Sequence, residues 1–220
     1  MRKFFPDRTP PTSEQIAETY DAQASTWLRR AGRAETWLTS PQWRDDMVHS
    51  LEGDVLEIGV GAGDTLIRVA KYDHAITSFT GIDLSAGMVE QATLAAAGLE
   101  FPVDFRVQNA EDLSNFPDNS FDTVTASLVF CTIADVPLAL AEIARVLRPN
   151  GKALFIEHVL SPNRLVAGLQ RLFAPGQIRL IGCHIDRTTI QTIQQHGYEI
   201  DEHRQRLFGV IRFVVARPPV

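Results

Sequence analysis

Val55-Leu56-Glu57-Ile58-Gly59-Val60-Gly61-Ala62-Gly63-Asp64-Thr65 is the stretch on which the reading of this chain turns. A short apolar run gives way to glycine at every second position. Leu66, Ile67, Val69 and Ala70 then follow, with Arg68 and Lys71 between them. This pattern is a buried strand, a tight turn and the start of a helix. Alternate glycines remove the Cβ atoms that keep a ligand off the backbone. They also permit positive φ, so that N–H groups can turn toward a bound molecule.

Turns of this kind bind nucleotides, and two cofactor classes compete for this one. The dinucleotide fingerprint is G-x-G-x-x-G. Its third glycine would fall on Asp64 counting from Gly59 and on Leu66 counting from Gly61, so both registers fail. The chain has E-x-G-x-G-x-G instead, which resembles motif I of the class I S-adenosylmethionine-dependent methyltransferases. The chemistry agrees with the difference. A pyrophosphate belongs at a helix N-terminus, whereas S-adenosylmethionine brings an amino group and a sulfonium, which an acidic lip suits. The resemblance implies cofactor contacts at Glu57, Gly59, Gly61 and Gly63. The plain alternative is a glycine turn that only joins strand to helix.

Ala75 to Asp83 reads as a second strand ending in a carboxylate, twenty residues past Gly63. A carboxylate at that tip can accept hydrogen bonds from a ribose diol. Helix capping is the competing role for Asp83, but Ser85 already suits that position. The resemblance places Leu84 and Met88 against the adenine, although Met88 can equally be core. A helix continues to Gly98, at a C′ position. Residues 101–108 alternate with period two and read as a third strand. Asn109-Ala110-Glu111-Asp112 follows, where the family usually carries an acidic residue, Ala and another acidic or polar residue. The resemblance implies that the Asn109 amide oxygen meets the adenine amino group, with Ala110 and Glu111 beside the ring.

Asn115 to Val124 is turn chemistry leading into a fourth strand. It resembles the "FPDNSFDxV" signature of the type 11 branch, which acts on quinones and other small molecules. Asp135-Val136-Pro137 starts a helix, with Leu138, Leu140, Ala141, Ile143, Ala144 and Leu147 as its stripe. "EIARVLRPNGKALFIEH" resembles the family's helix, turn and fifth strand, with Ala153 to Ile156 as the strand and Glu157-His158 at its end. The resemblance covers about residues 54–159 and thins beyond Ser161.

Strands and helices alternate, which implies a Rossmann-like three-layer αβα sandwich. A seven-stranded, mostly parallel sheet is expected, with residues 198–203 and 210–216 closing it as an antiparallel hairpin. One domain suffices for 220 residues. Within it, 1–52 form a helical cover, 53–160 the cofactor core, 161–196 a lid or acceptor region and 197–220 the closing hairpin. Residues 1–12 are Pro-rich and loose. A helix near Ser13 carries Tyr20 and Trp27, which either pack or form a mobile cover over the methyl donor.

Composition sets further bounds. The chain is 45% hydrophobic and 22% charged with a net charge of −6, which is poor for nucleic-acid binding. Cys131 and Cys183 form no metal-ligand spacing and read as reduced thiols, so no metal is expected. The chain start resembles no signal peptide, no run is long enough to span a membrane, and the default compartment is the cytoplasm. The stretch 163–174, with Arg164 and Arg171 among Leu165, Val166, Leu169, Leu172 and Phe173, is amphipathic. It reads either as a lid or as a membrane-surface face that admits a lipid.

The expected function is methyl transfer from S-adenosylmethionine to a N, O, S or C atom of a small-molecule acceptor. S-adenosylhomocysteine would be the product. His158 and His184 are candidate bases because histidine titrates near neutral pH; rim or loop hydrogen bonding is their other role. Tyr20 completes the candidate reaction-centre set. A short "GC…R" turn at Gly182, Cys183 and Arg187 resembles methyltransferases of lipid amines or thiols. A nicotinamide-dependent oxidoreductase and a non-catalytic S-adenosylmethionine-binding module are the remaining alternatives.

Overall fold

The computed structural model describes residues 10–28 and 37–219. The loose segment expected at 1–12 lies outside these residues as far as residue 9, as does 29–36 of the cover. Seven strands form one sheet in the order β3-β2-β1-β4-β5-β7-β6. They are β1 (Glu52–Ile58), β2 (Ala75–Asp83), β3 (Val103–Val107), β4 (Phe121–Ser127), β5 (Leu147–His158), β6 (Glu199–Arg206) and β7 (Ile211–Arg217). Strands β1 to β5 run parallel; β7 pairs antiparallel with both β5 and β6. This is the expected mostly parallel sheet with its closing hairpin.

Both faces of the sheet are covered. The helices are α1 (Ser13–Asp21), α2 (Pro41–His49), α3 (Asp64–Val69), α4 (Ala86–Ala95), α5 (Val136–Val146), α6 (Arg164–Ile181) and α7 (Thr189–Gln195). Strand side chains alternate between two cores, as period two requires. Val55, Leu154, Ile156 and Phe213 pack with Met47, Leu66 and Ala92 of α2, α3 and α4. Leu56, Phe155 and Val214 face the other way, toward Ala139, Leu140 and Ile143 of α5 and Ile193 of α7. Continuous apolar runs therefore fill both sides, as buried parallel strands demand.

The helix starts obey the local chemistry. Thr12 caps α1 and forms a capping box with Gln15, one residue before the Ser13 start. Ser85 Oγ accepts from Met88 N to cap α4, and Asp135 Oδ1 accepts from Leu138 N to cap α5. Asp83 is thereby left for other work, as expected. Strand β5 is longer than the four-residue run expected of it. It starts at Leu147, directly after α5, because Leu147 pairs with Phe121 before the ladder resumes at Thr123–Lys152.

Candidate cofactor-binding site

The parallel ladder brings the carboxyl ends of the strands to one edge. Ile58 lies beside Ile82 and Ala126, and Asp83 lies beside Val107. Ligands collect at such an edge in open α/β sheets. A cavity opens there, lined by the Gly59–Ala62 turn, Asp83 to Ser85, Gln108 to Glu111 and Ser127 to Val129. Ser13, Ile16, Ala17, Tyr20, Trp27 and Leu28 of the N-terminal cover close its other side.

Two glycines of the turn do different jobs. Gly59 has φ +66°, and a Cβ built on it would stand 2.4 Å from Val129 Cγ2. Gly61 has φ +53°, but its Cβ would meet only the Gly59 carbonyl oxygen, at 3.9 Å. Gly59 therefore makes room for the β4 loop, and Gly61 leaves room for a ligand. Gly59→Ala is expected to destabilise the protein by about 3 kcal/mol, from left-handed strain plus overpacking. Gly61→Ala should cost about 1 kcal/mol of stability and still abolish most cofactor binding. Thermal melts with and without S-adenosylhomocysteine would separate the two; equal behaviour would refute the assignment.

Glu57 is fully buried beneath the turn. Its Oε1 accepts from Thr65 Oγ1 at 2.5 Å, and its Oε2 has no hydrogen-bond partner. Burial pushes this carboxyl up to about 8, against the Thr65 hydrogen bond, which lowers it. Asp83 accepts from Gly61 N at 3.0 Å through Oδ2 and from Ser85 N at 2.9 Å through Oδ1. Burial raises it as well, although these N–H groups pull it back. Each Asp83 oxygen keeps a second lone pair for a ligand.

The residues expected beside the adenine all line the cavity. Asn109 Oδ1, expected to meet an adenine amino group, accepts from Glu111 N at 3.0 Å within its own turn. Glu111 Oε1 accepts from Ala134 N and Asp135 N at 2.9 and 3.0 Å, tying the β3 loop to the β4 loop. Both residues line the cavity, and the Asn109 oxygen keeps a second lone pair beside the one its turn uses. Gln108 presents the open acceptor: its Nε2 donates to Asp112 O at 2.7 Å while its buried Oε1 has no partner. Leu84, Met88 and Ala110 line the cavity as expected. Met88 is also core, packed with Ala24, Ala62, Tyr20 and Trp27.

Of the three reaction-centre candidates, only Tyr20 lines the cavity, with its ring 5.3 Å from that of Trp27. His158 and His184 do not. His158 Nε2 lies 3.2 Å from Cys183 Sγ, and His184 opens onto a separate groove beside α5 and α7. The reason is that the β4 loop has two sides. Leu128, Val129, Thr132, Ile133 and Ala134 face the cavity, while the 182–187 turn backs the same loop. His184 N donates to Cys131 O at 2.9 Å, and Arg187 donates to Phe130 O and, at 2.6 Å, to Ile133 O. Arg187→Ala would leave both carbonyls unpaired. It is expected to cost about 2 kcal/mol in a urea melt and to weaken cofactor binding through the loosened wall; an unchanged midpoint would show that water replaces the guanidinium.

The helix of the region read as a lid or acceptor region, α6, adjoins α1 of the cover. No residue of α6 lines the cavity. Gln170 fastens the helix to the far end of β5 by donating to Val159 O and Ile185 O and accepting from Ser161 N. Leu165, Leu169, Leu172 and Phe173 remain exposed.

Arg44, Gln108 and Trp27 are cavity residues to which sequence reading gave no site role. Arg44 of α2 reaches Thr39 Oγ1 and Asp64 Oδ2 at 2.8 and 2.9 Å, and nothing in its helix pattern marked it. Gln108 was visible only as the end of an alternating strand. Trp27 was noted as the aromatic partner of Tyr20, without a site role.

A Rossmann-like sheet with a carboxylate under a glycine turn and another at the second strand tip defines an adenosyl-cofactor-binding protein. Residues 56–155 match the methyltransferase domain family. The demethylmenaquinone methyltransferase of Symbiobacterium thermophilum is 33% identical over 150 residues, 66% of this chain and 56% of that protein. The phosphatidylethanolamine N-methyltransferase of Cereibacter sphaeroides is 31% identical over 172 residues, 76% of this chain and 82% of that protein. The solved 4+2 cyclase SpnF superposes with a TM-score of 0.75 at 23% identity, covering 96% of this chain and 98% of that one. The chain belongs to the class I S-adenosylmethionine-dependent methyltransferases, in the type 11 branch. It spans just over half the length of the quinone methyltransferases it matches. Family membership decides against the nicotinamide-dependent alternative.

Proposed function

We propose that the chain transfers the methyl group of S-adenosylmethionine to a small-molecule acceptor with an apolar body. The single observation that carries this is the Glu57 carboxylate, fully buried at the cavity with Oε2 unpartnered. Ionising this buried carboxyl is costly without a cation, and the amino group and sulfonium of the cofactor would supply positive charge there. Asp83 takes the ribose hydroxyls, Gln108 Oε1 the adenine amino group, and Leu84 and Met88 the adenine faces. The cofactor brings the reactive methyl. The protein's part is placement, and aligned reactants can supply about 7–11 kcal/mol of the barrier.

The acceptor side is apolar. Ile16, Trp27, Leu28, Leu128 and Ile133 form it, and Tyr20 supplies a hydroxyl. Among the described residues, the charged lining groups are Glu57, Asp64, Asp83, Glu111 and Arg44, which is paired with Asp64. Tyr20 is the residue best placed to orient an acceptor or take its proton; His158 and His184 would act from behind the loop, by holding it.

A lipid amine is the second reading. Arg164, Arg171 and Arg179 flank the exposed apolar stripe of α6, which has no acidic residue. Such a face suits an anionic membrane surface, and the Cereibacter sphaeroides relative carries a lipid name. No helix among the described residues is long and apolar enough to cross a membrane.

Calorimetric titration with S-adenosylhomocysteine, with NAD as control, tests the cofactor. Turnover against a quinol, a thiol and phosphatidylethanolamine vesicles then sorts the acceptors. Binding of NAD alone would sink the proposal. Tight S-adenosylhomocysteine binding with no turnover on any acceptor class would favour a module that binds the cofactor without methyl transfer, a division of fold from chemistry that a shared fold allows.

A further inference from the structure

We propose that Cys131, His158 and Cys183 form a site for a thiophilic metal cation, with Zn2+ as its representative. The sequence separates these residues by 27 and 25 positions, which no local metal motif would reveal. Folding unites them. Cys131 lies in the loop after β4, His158 is the last residue of β5, and Cys183 follows the end of α6. One ligand atom from each lies within 4.8 Å of the other two, and Cys183 Sγ is 3.2 Å from His158 Nε2.

The dimensions fit a tetrahedral ion. Zinc binds sulfur at about 2.3 Å and nitrogen at about 2.0–2.1 Å, so its ligand atoms stand about 3.5–3.8 Å apart. The longest separation here needs to contract by about 1 Å, a side-chain adjustment. Two sulfurs and one imidazole select a soft cation over Mg2+ or Ca2+. Three protein ligands leave a fourth position for water or an exogenous ligand. Both cysteines are buried, so the site is enclosed, and two thiolates would neutralise the dication inside it.

The ligands are held at this spacing by bonds independent of any ion. His184 N to Cys131 O clamps one cysteine loop to the other, and Arg187 pins its turn to Phe130 O and Ile133 O. Glu157, beside His158, accepts from Val129 N and Phe130 N at 2.8 and 3.0 Å and fixes the same loop from β5. A bound ion would add a fourth tie between β4, β5 and the 182–187 turn. It would stiffen the cavity wall formed by Leu128, Val129, Thr132 and Ile133 from the side away from the cofactor. This inference does not depend on which acceptor is methylated.

The test uses the full chain kept reduced with a phosphine. Zn2+ is titrated against a chromophoric chelator, and Co2+ is added in parallel and read by absorbance. One ion per chain is expected, with thiolate-to-cobalt charge-transfer bands, a higher melting temperature in Zn2+ and slowed alkylation of both thiols. Cys183→Ser and Cys131→Ser should each weaken Zn2+ at least about 100-fold and change or remove the bands. Retained S-adenosylhomocysteine binding would report that the variants are folded. The proposal is overturned by no stoichiometric binding, by cobalt bound without a thiolate band, or by equal affinity in wild type and both variants. Should a variant fail to fold, unchanged alkylation rates in wild type with and without Zn2+ would overturn it alone.

Discussion

Glu57→Gln is expected to stabilise the ligand-free protein by about 3 kcal/mol at pH 7, while weakening its hold on the cofactor. The folded-state pKa of Glu57 is raised from 4.5 to about 8 by burial. Between those values the folded chain keeps a proton that the unfolded chain releases. The wild type's proton-linked stability is therefore complete below about pH 4.5 and is lost as pH rises through about 8, and the variant's advantage grows over the same range. Glutamine cannot ionise, yet its amide oxygen can still accept from Thr65. Urea melts of wild type should lose stability from pH 5 to pH 8.5, and the variant should lose less. Parallel profiles would mean that Glu57 is ionised in the empty protein and reached by water.

The same carboxyl couples binding to protons. A cofactor that brings positive charge favours the ionised form, so binding at pH 7 should release close to one proton from Glu57. Glu157, raised to about 7 chiefly by burial, adds to the fall in stability with pH but touches no lining residue except Val129, through its N–H. Calorimetry in buffers of different ionisation heat separates the two: Glu57→Gln removes the proton release on binding, and Glu157→Gln leaves it.

Asp83→Ala is expected to weaken S-adenosylhomocysteine at least about 100-fold, because two hydrogen bonds from a ribose diol to a carboxylate are worth about 1.5–3 kcal/mol each. Part of the loss is indirect. Asp83 also receives Gly61 N and Ser85 N, so its removal frees the glycine turn that shapes the cavity. Asp83→Asn is the informative companion. It keeps one acceptor for the turn and should bind more weakly than wild type but better than alanine. Equal affinity in wild type and Asp83→Ala, by calorimetry at one pH, would remove the ribose role.

Local signals carried most of the fold. Strand β2 ends at Asp83 as read, Ser85 caps α4, and the strands end on one edge because each run stops at a turn. The early start of β5 was hidden because Arg148-Pro149-Asn150-Gly151 looks like a break. Pairing with β4 overrides it there, and pairing is a tertiary fact. The site divides in the same way. Glu57 and Gly61 lie at and just past the end of β1, and Asp83 and Met88 at the end of β2 and the start of α4, so each was legible from its own short stretch and from the motif resemblance. Arg44 and the Cys131, His158 and Cys183 cluster depend on contacts between distant segments, and no period or spacing encodes those. The turn contact of Asn109 has a local origin: a side-chain amide followed two residues later by a backbone N–H folds back on itself.

One contact at the cavity's outer side bears on speed. Asp21, at the end of α1, accepts from Ser85 Oγ at 2.5 Å and from Gly87 N at 2.8 Å, at the start of α4. Those bonds hold its carboxyl below the usual carboxylate range. They latch the covering helix to the body of the domain beside the adenine pocket. Any opening of the cavity on that side requires these two hydrogen bonds to part. In the proposed methyl transfer, such an opening step would stand beside the chemistry as a candidate limit on the rate.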